Sequence, residues 1–283
     1  MNEASLPSVL VFDSGVGGLS VAASIRRLCP QVPLVYLADN AGFPYGDKPE
    51  AEVTRRTCNL VTSALSKFDC QIVVLACNTA STVALPALRQ CVSEAVVGVV
   101  PAIKPAAAIS VNRRIGILAT PATVARPYLD QLIADYAADC QVCRIGHRSL
   151  VHWAEGLARG EPVPQSRLVE ILAPFELAGV DTVVLGCTHY PLLLPALKQA
   201  APGVRFWVDS GDAIARRVEQ LLASKSAQPQ PQPQALTSRL QPGISPKPLQ
   251  QALFSASAPP GIERFMTGLG LAPGAIVSFW GHI

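Results

Sequence analysis

Charge is scarce in this chain. Asp, Glu, Lys and Arg make up 15% of its 283 residues, against 49% hydrophobic ones. That balance excludes extended disorder, which needs many charges and few apolar side chains. The 23 basic and 20 acidic residues leave a net charge of +3, too small and too dispersed to serve a nucleic-acid partner. Long apolar runs are missing too: none approaches the roughly 20 residues that cross a bilayer, so no membrane span is expected. The opening residues, Met1 to Pro7, lack a basic segment followed by an apolar stretch, and a cytoplasmic location is the expectation. Cys140 and Cys143 form a C-x-x-C with no second pair and no histidines at ligand spacing beside it, which argues against zinc.

Cysteine itself is present eight times. In a reducing compartment its default meanings are packing or chemistry rather than a disulfide framework. Cys29, Cys58, Cys70 and Cys91 fall in or beside expected helices and read as small packing hydrophobes. Two others stand apart. Val73-Val74-Leu75-Ala76-Cys77 and Val183-Val184-Leu185-Gly186-Cys187 are short apolar runs that each end in a cysteine and continue in polar residues. Such runs predict buried strands that deliver their last side chain to a loop at the sheet edge.

The rest of the chain alternates strands and helices. Strands are expected at 8–12, 33–38, 71–77, 96–100, 114–119, 140–145 and 205–209, and helices at 19–28, 50–67, 103–111, 150–159 and 165–177. At about 100–200 residues per domain the length suits two domains. A Gln/Pro-rich stretch over 226–250 reads as a low-complexity loop that does not pack. Beyond it, strands at 252–256 and 276–280 and a helix at 262–269 are expected to return and complete the first domain.

Asp13-Ser14-Gly15-Val16-Gly17-Gly18 follows the first strand and precedes a helix. Its glycine spacing is not a dinucleotide fingerprint, and Asp13 would repel a pyrophosphate. The turn could instead hold a small carboxylate at the helix start, with Asp13 and Ser14 meeting an ammonium or hydroxyl. The loop Asp39 to Lys48 is rich in Gly and Pro and sits where open α/β sheets bind ligands. Asn78 and Thr79 begin a helix after Cys77, whose positive end would lower the thiol pKa from roughly 8.5. His189, two residues from Cys187, is placed to move a proton. Thr120 to Thr123 caps another helix, and Val208-Asp209-Ser210-Gly211 echoes the first glycine turn. Two thiols flanking one cavity would suit proton removal from one face of a stereocentre and delivery to the other.

With these motifs in hand, the chain resembles the glutamate racemases of the aspartate/glutamate racemase superfamily. The residues that carry the resemblance are Phe12-Asp13-Ser14-Gly15-Val16-Gly17-Gly18, Asp39-Asn40, Phe43-Pro44-Tyr45-Gly46, Cys77-Asn78-Thr79-Ala80-Ser81, Gly186-Cys187-Thr188-His189-Tyr190-Pro191 and Val208-Asp209-Ser210-Gly211. It implies an α/β fold of two pseudo-symmetric domains with mostly parallel sheets and the active site between them. Residues 1–100 and 208–283 would form a discontinuous first domain and 101–207 the second. It implies Cys77 and Cys187 as the two bases, Asp13 and His189 as their proton-transfer partners, and Glu155 as an acidic residue near the site in a segment that departs from the common family form. Asp13, Ser14, Pro44, Tyr45, Gly46, Asn78, Thr79, Thr120, Thr123, Thr188 and His189 would meet substrate. The implied partner is glutamate, with D-glutamate supplied to peptidoglycan synthesis and no pyridoxal phosphate or metal. A homodimer and activation by a cell-wall precursor stay open. So do a sister enzyme acting on aspartate, a non-catalytic binding protein for acidic metabolites, and a thiol or metal role for Cys140 and Cys143.

Overall fold

The computed structural model of the chain describes residues 8–226 and 247–281. Its strands are β1 (Ser8–Asp13), β2 (Leu34–Ala38), β3 (Cys70–Leu75), β4 (Ala95–Gly98), β5 (Arg114–Ala119), β6 (Gln141–Gly146), β7 (Thr182–Leu185), β8 (Phe206–Val208), β9 (Gln251–Phe254) and β10 (Ile276–Val277). The helices are α1 (Leu19–Leu28), α2 (Glu50–Leu65), α3 (Asn78–Val83), α4 (Leu85–Cys91), α5 (Ile103–Ile109) and α6 (Pro121–Val124), then α7 (Pro127–Tyr136), α8 (Ser149–Ala158), α9 (Gln165–Leu177), α10 (Leu194–Ala200), α11 (Gly211–Ser226) and α12 (Ile262–Gly268). Short 3-10 turns at Tyr45–Asp47 and Tyr190–Leu193 interrupt the loops. None of the described helices is long and apolar enough to cross a membrane.

Two sheets form, with orders β10-β9-β2-β1-β3-β4 and β6-β5-β7-β8. Every strand pairing in them is parallel, where the sequence predicted mostly parallel sheets. Parallel strands covered on both faces need continuous apolar sequence, and β1 shows why. Val9 and Val11 pack into one layer while Leu10 and Phe12 pack into the other, and all four are fully buried. Burying each such side chain contributes about 1.5–3 kcal/mol. Ile25 of α1 and Val218 of α11 lie in the same layer as Val9, and α1 packs along α11. The returning tail pairs β9 with β2 and so extends the first sheet, as expected.

The two sheets share one arrangement. Within the first, the order β2-β1-β3-β4 matches β6-β5-β7-β8 of the second, with the unit's first strand lying between its second and third. Strand order reverses there, and ligands of open α/β sheets bind outside the carboxyl ends of such strands. Asp13 ends β1 and Thr120 follows β5, while Cys77 follows β3 and Cys187 follows β7. Each cysteine lies two residues past its strand instead of at the strand end, because backbone pairing stops at Leu75 and Leu185.

Other boundaries moved for local reasons. The final strand is two residues long rather than five: Phe279 takes a left-handed backbone conformation (φ 56°), which ends the extended run. Residues 227–246 of the Gln/Pro-rich stretch lie outside the described residues. Its flanks are ordered, since α11 runs to Ser226 and the fully buried Leu249 bridges to Pro273. The echo between Asp13 and Asp209 is local only. Gly15 N–H and Gly211 N–H each donate to the preceding aspartate's Oδ1, but Asp13 ends β1 and Asp209 follows β8, which are not equivalent strands.

Candidate active site

The loops at the switch points of the two sheets meet around one cavity of about 180 Å³. That is close to six waters at roughly 30 Å³ each, room for a small amino acid. Cys77 and Cys187 both line it and are otherwise buried, 6% and 8% exposed. Ser14, Pro44, Tyr45, Gly46, Asn78 and Thr79 line it from the first lobe; Thr120, Thr123, Thr188 and His189 line it from the second. All of these are residues the sequence pointed to. Asp13 and Glu155 stand behind the wall.

Behind Cys77 is an acid. Ser14 Oγ lies 3.7 Å from Cys77 Sγ and 3.5 Å from Asp13 Oδ1, so the hydroxyl sits between thiol and carboxylate. Asp13 is fully buried and accepts from Thr188 Oγ1 at 2.9 Å and from Gly15 N–H at 3.1 Å. Burial pushes its pKa above the ordinary carboxylate value, although His189 and these donors oppose the rise. The helix dipole expected to lower the Cys77 pKa is overruled. Cys77 caps α3, a helix of only six residues, and its thiol is pushed up to about 12 by burial and by the nearby Asp13 carboxylate. The Ala80 N–H and the Ser14 hydroxyl pull the other way without reversing it. At neutral pH Cys77 therefore holds its proton.

Behind Cys187 is a histidine. His189 Nδ1 lies 3.8 Å from Cys187 Sγ, and its Nε2 lies 2.8 Å from Glu155 Oε1. Burial alone would lower the imidazole pKa. Its hydrogen bonds to Cys187 and Glu155 outweigh that and hold it well above the usual histidine value. His189 is thereby a proton carrier within reach of the Cys187 sulfur. Glu155 is buried, not a solvated face residue, and the same Oε1 accepts the Val16 N–H at 2.7 Å. The glycine turn before α1 is thus no empty anion cradle: Glu155 from the second lobe occupies it. Gly15 and Gly17 make that approach possible. A Cβ on Gly15 would lie 2.0 Å from Glu155 Oε1, and one on Gly17 would lie 2.3 Å from His189 Nδ1.

The remaining walls are set by the loops. A cis peptide precedes Pro44. The Tyr45 hydroxyl does not face the cavity as a free donor; it donates to Asp39 Oδ2 at 2.6 Å. Asp39 is a node, fully buried, that also receives Arg56 Nε and Nη2 at 2.6 Å each and Ser255 Oγ at 2.6 Å. Thr120 caps α6, its Oγ1 accepting the Thr123 N–H at 3.3 Å and lying 2.9 Å from Thr123 Oγ1. Asn78 Oδ1 is buried with no hydrogen-bond partner, an acceptor left open on a cavity-lining residue.

Sequence reasoning missed Phe43 as a site residue, and missed Asp47, Arg148 and His152. His152 lines the cavity and meets the Phe43 ring edge-on at 5.4 Å. Only the four-residue spacing of Arg148 and His152 at the start of a helix hinted at a shared face. Cys140 and Cys143 pack into different layers, on opposite sides of the second sheet, so they do not act as a dithiol. Among the described residues no cluster of three or more His, Cys, Asp or Glu could hold a metal ion.

Known proteins share this sequence pattern and fold. The pattern of the Asp/Glu/Hydantoin racemase family matches residues 16–218. A glutamate racemase of Pectobacterium carotovorum is 50% identical over 225 residues, 79% of each chain, and one of Salmonella typhimurium is 51% identical over 218 residues, covering 76% of this chain and 77% of the other. The crystal structure of Escherichia coli glutamate racemase, in complex with L-glutamate and the activator UDP-MurNAc-Ala, superposes with a TM-score of 0.83 at 41% identity over 96% of this chain and 97% of that one. Two parallel sheets of one order, paired cysteines at their switch points and this level of identity make the chain a member of the glutamate racemase family.

Proposed function

We propose that the protein interconverts L- and D-glutamate without a cofactor, by two-base proton transfer between Cys77 and Cys187. One observation carries this reading: two buried thiols, each backed by its own proton-handling group, open on a single cavity sized for a small amino acid. The α-carbon would lie between the sulfurs. In one direction the thiolate of Cys187, held by the His189 imidazolium, removes the α-proton while Cys77 delivers its own to the opposite face. In the other direction the roles exchange: Asp13 takes up the Cys77 proton through the Ser14 hydroxyl, the His189 imidazolium gives a proton to Cys187, and the Cys77 thiolate then removes the α-proton while Cys187 delivers its own to the opposite face. That hydroxyl contact, 3.5 Å to Asp13, is long for an O–H···O bond and would tighten around bound substrate. The open acceptor of Asn78 and the hydroxyls of Thr79, Thr120, Thr123 and Thr188 would fix the ammonium and carboxylates, and donors aimed at the α-carboxylate would meet its developing charge.

Incubation with each glutamate enantiomer in heavy water, with no cofactor added, tests it. The expected result is deuterium at the α-carbon and decay of optical rotation to zero from both sides. Binding without exchange, or a preference for aspartate, would overturn the assignment. The wider setting follows from the family. The chain would act in the cytoplasm and supply D-glutamate for peptidoglycan; assembly as a homodimer and activation by a cell-wall precursor, such as the one bound by the Escherichia coli relative, are open extensions of this reading. The domain division 1–100 with 208–283, around 101–207, is supported by the stretches from which the two sheets draw their strands.

A further inference from the structure

The charged side chains on the cavity wall are few. Besides His189 and His152, the lining includes one anion, Asp47, and one cation, Arg148. They belong to opposite lobes. Asp47 ends the 3-10 turn whose Tyr45 and Gly46 also line the cavity, and Arg148 is the residue before α8. Arg148 Nη1 lies 3.5 Å from Asp47 Oδ1, with the two side chains 72% and 46% exposed. This is a long ion pair in water across a cavity mouth, and such pairs hold weakly.

A guanidinium in that position can exchange one carboxylate for another at little cost, and its planar fork pairs carboxylates in two-point fashion. A dicarboxylate amino acid carries a net negative charge and must pass this mouth. Apart from the two histidines, the polar side chains that line the cavity with this pair are hydroxyls, the Asn78 amide and the two thiols. A second ion pair supplies an internal control. Arg126 Nη1 lies 3.2 Å from Glu50 Oε1, again with the anion on the first lobe and the cation on the second, but neither residue lines the cavity.

We infer that Arg148 is the capture residue for the acidic substrate, and that Asp47 is its built-in competitor: the pair closes across the empty mouth and opens as the substrate's carboxylate replaces that of Asp47. The inference rests on the glutamate reading above. It makes Arg148 a determinant of selection for acidic substrates that acts before the chemistry.

Steady-state kinetics on the full chain test it, with wild-type exchange in heavy water measured first. If the wild type does not racemise glutamate, the functional reading fails and not this inference alone. With an active wild type, R148Q is expected to lower kcat/KM by about two- to fivefold through KM, the scale of one exposed charge, while kcat holds. It should also flatten the fall of kcat/KM with added salt. R148K should restore much of the loss, and D47N should lower KM by removing the competitor. R126Q should leave KM and its salt dependence near those of wild type. Equal losses in R148Q and R126Q would mean simple adhesion between lobes and overturn the inference. An unchanged KM in R148Q, or a rise in KM in D47N, would overturn it as well.

Discussion

Cys77 and Cys187 each follow the third strand of a four-strand unit with the same order, and each points into the same cavity, yet their neighbours differ in kind. Cys77 is backed by a serine and a buried aspartate, Cys187 by a histidine and a buried glutamate. Backbone repetition brings two sulfurs to one cavity; the neighbours give each a different proton-handling partner. Burial and Asp13 keep Cys77 protonated, while His189, held in its charged form, offers Cys187 a counter-ion. Under the two-base proposal, this asymmetry suits Cys77 to the role of acid and leaves that of base to the Cys187 side.

The strongest way to break this comparison is to remove one sulfur at a time. C77A and C187A should each slow interconversion by about 10²–10⁴-fold, the usual contribution of a positioned acid or base, as followed by polarimetry. Each variant should still exchange the α-proton of one enantiomer, and the enantiomer should differ between the two. Retained exchange on the same enantiomer in both would show that the sulfurs do not serve opposite faces.

Next in size is the support of the Cys77 lobe. Asp39 holds the loop after β2 through Arg56, Tyr45 and Ser255, and D39N, which leaves Arg56 buried without its counter-ion, should cost about 3–5 kcal/mol in a denaturant melt. Burial would raise the Asp39 pKa, but its donors more than offset this and hold it below the ordinary value. A carboxylate depressed in the folded state stabilises above its unfolded pKa, roughly 3.9, and loses that stabilisation as pH falls through the folded value. Wild-type stability should therefore drop below about pH 4, and D39N should lack that part of the drop.

A smaller effect sharpens the Cys187 side. E155Q removes the charge that faces His189, and a charge-assisted hydrogen bond contributes about 1.5–3 kcal/mol, so kcat should fall by about ten- to a hundredfold. With its anion gone, burial lowers the His189 pKa, and loss of activity on the alkaline side should begin at lower pH than in the wild type. An unmoved pH profile would show that Glu155 only ties the lobes together through Val16. The smallest effect is expected at the second lobe's own rim. T120A removes the cap of α6 and should cost about 0.5–2 kcal/mol, with little change in the first lobe.

Much of the fold was legible because parallel strands buried on both faces leave continuous apolar runs. The bounds of α1, β5 and α9 stand where the pattern put them, since Gly, Pro and Thr mark their ends. The cavity wall was legible through motifs. What the sequence could not carry is anything set by contact between distant segments. Val16 and Glu155 are 139 residues apart, and no local pattern joins them. The Cys77 pKa failed for a related reason: the helix start was visible, while the enclosure and the buried Asp13 beside it were not. Arg148 and Asp47 are ordinary surface types in their own segments and gain meaning only where the lobes meet.

The cage around Asp39 also has an order in time. Arg56 and Tyr45 are close by in the chain, but Ser255 lies 216 residues further on, in the stretch that adds β9 to the edge of β2. A ribosome releases both cysteines well before it releases Ser255, so the growing chain holds both cavity thiols while the loop carrying Pro44, Tyr45 and Gly46 still lacks its last tether. Domains fold as units as they emerge. Here the lobe that supplies β1 to β4 is completed only after all four strands of the second sheet have emerged, and the wall of the cavity waits with it.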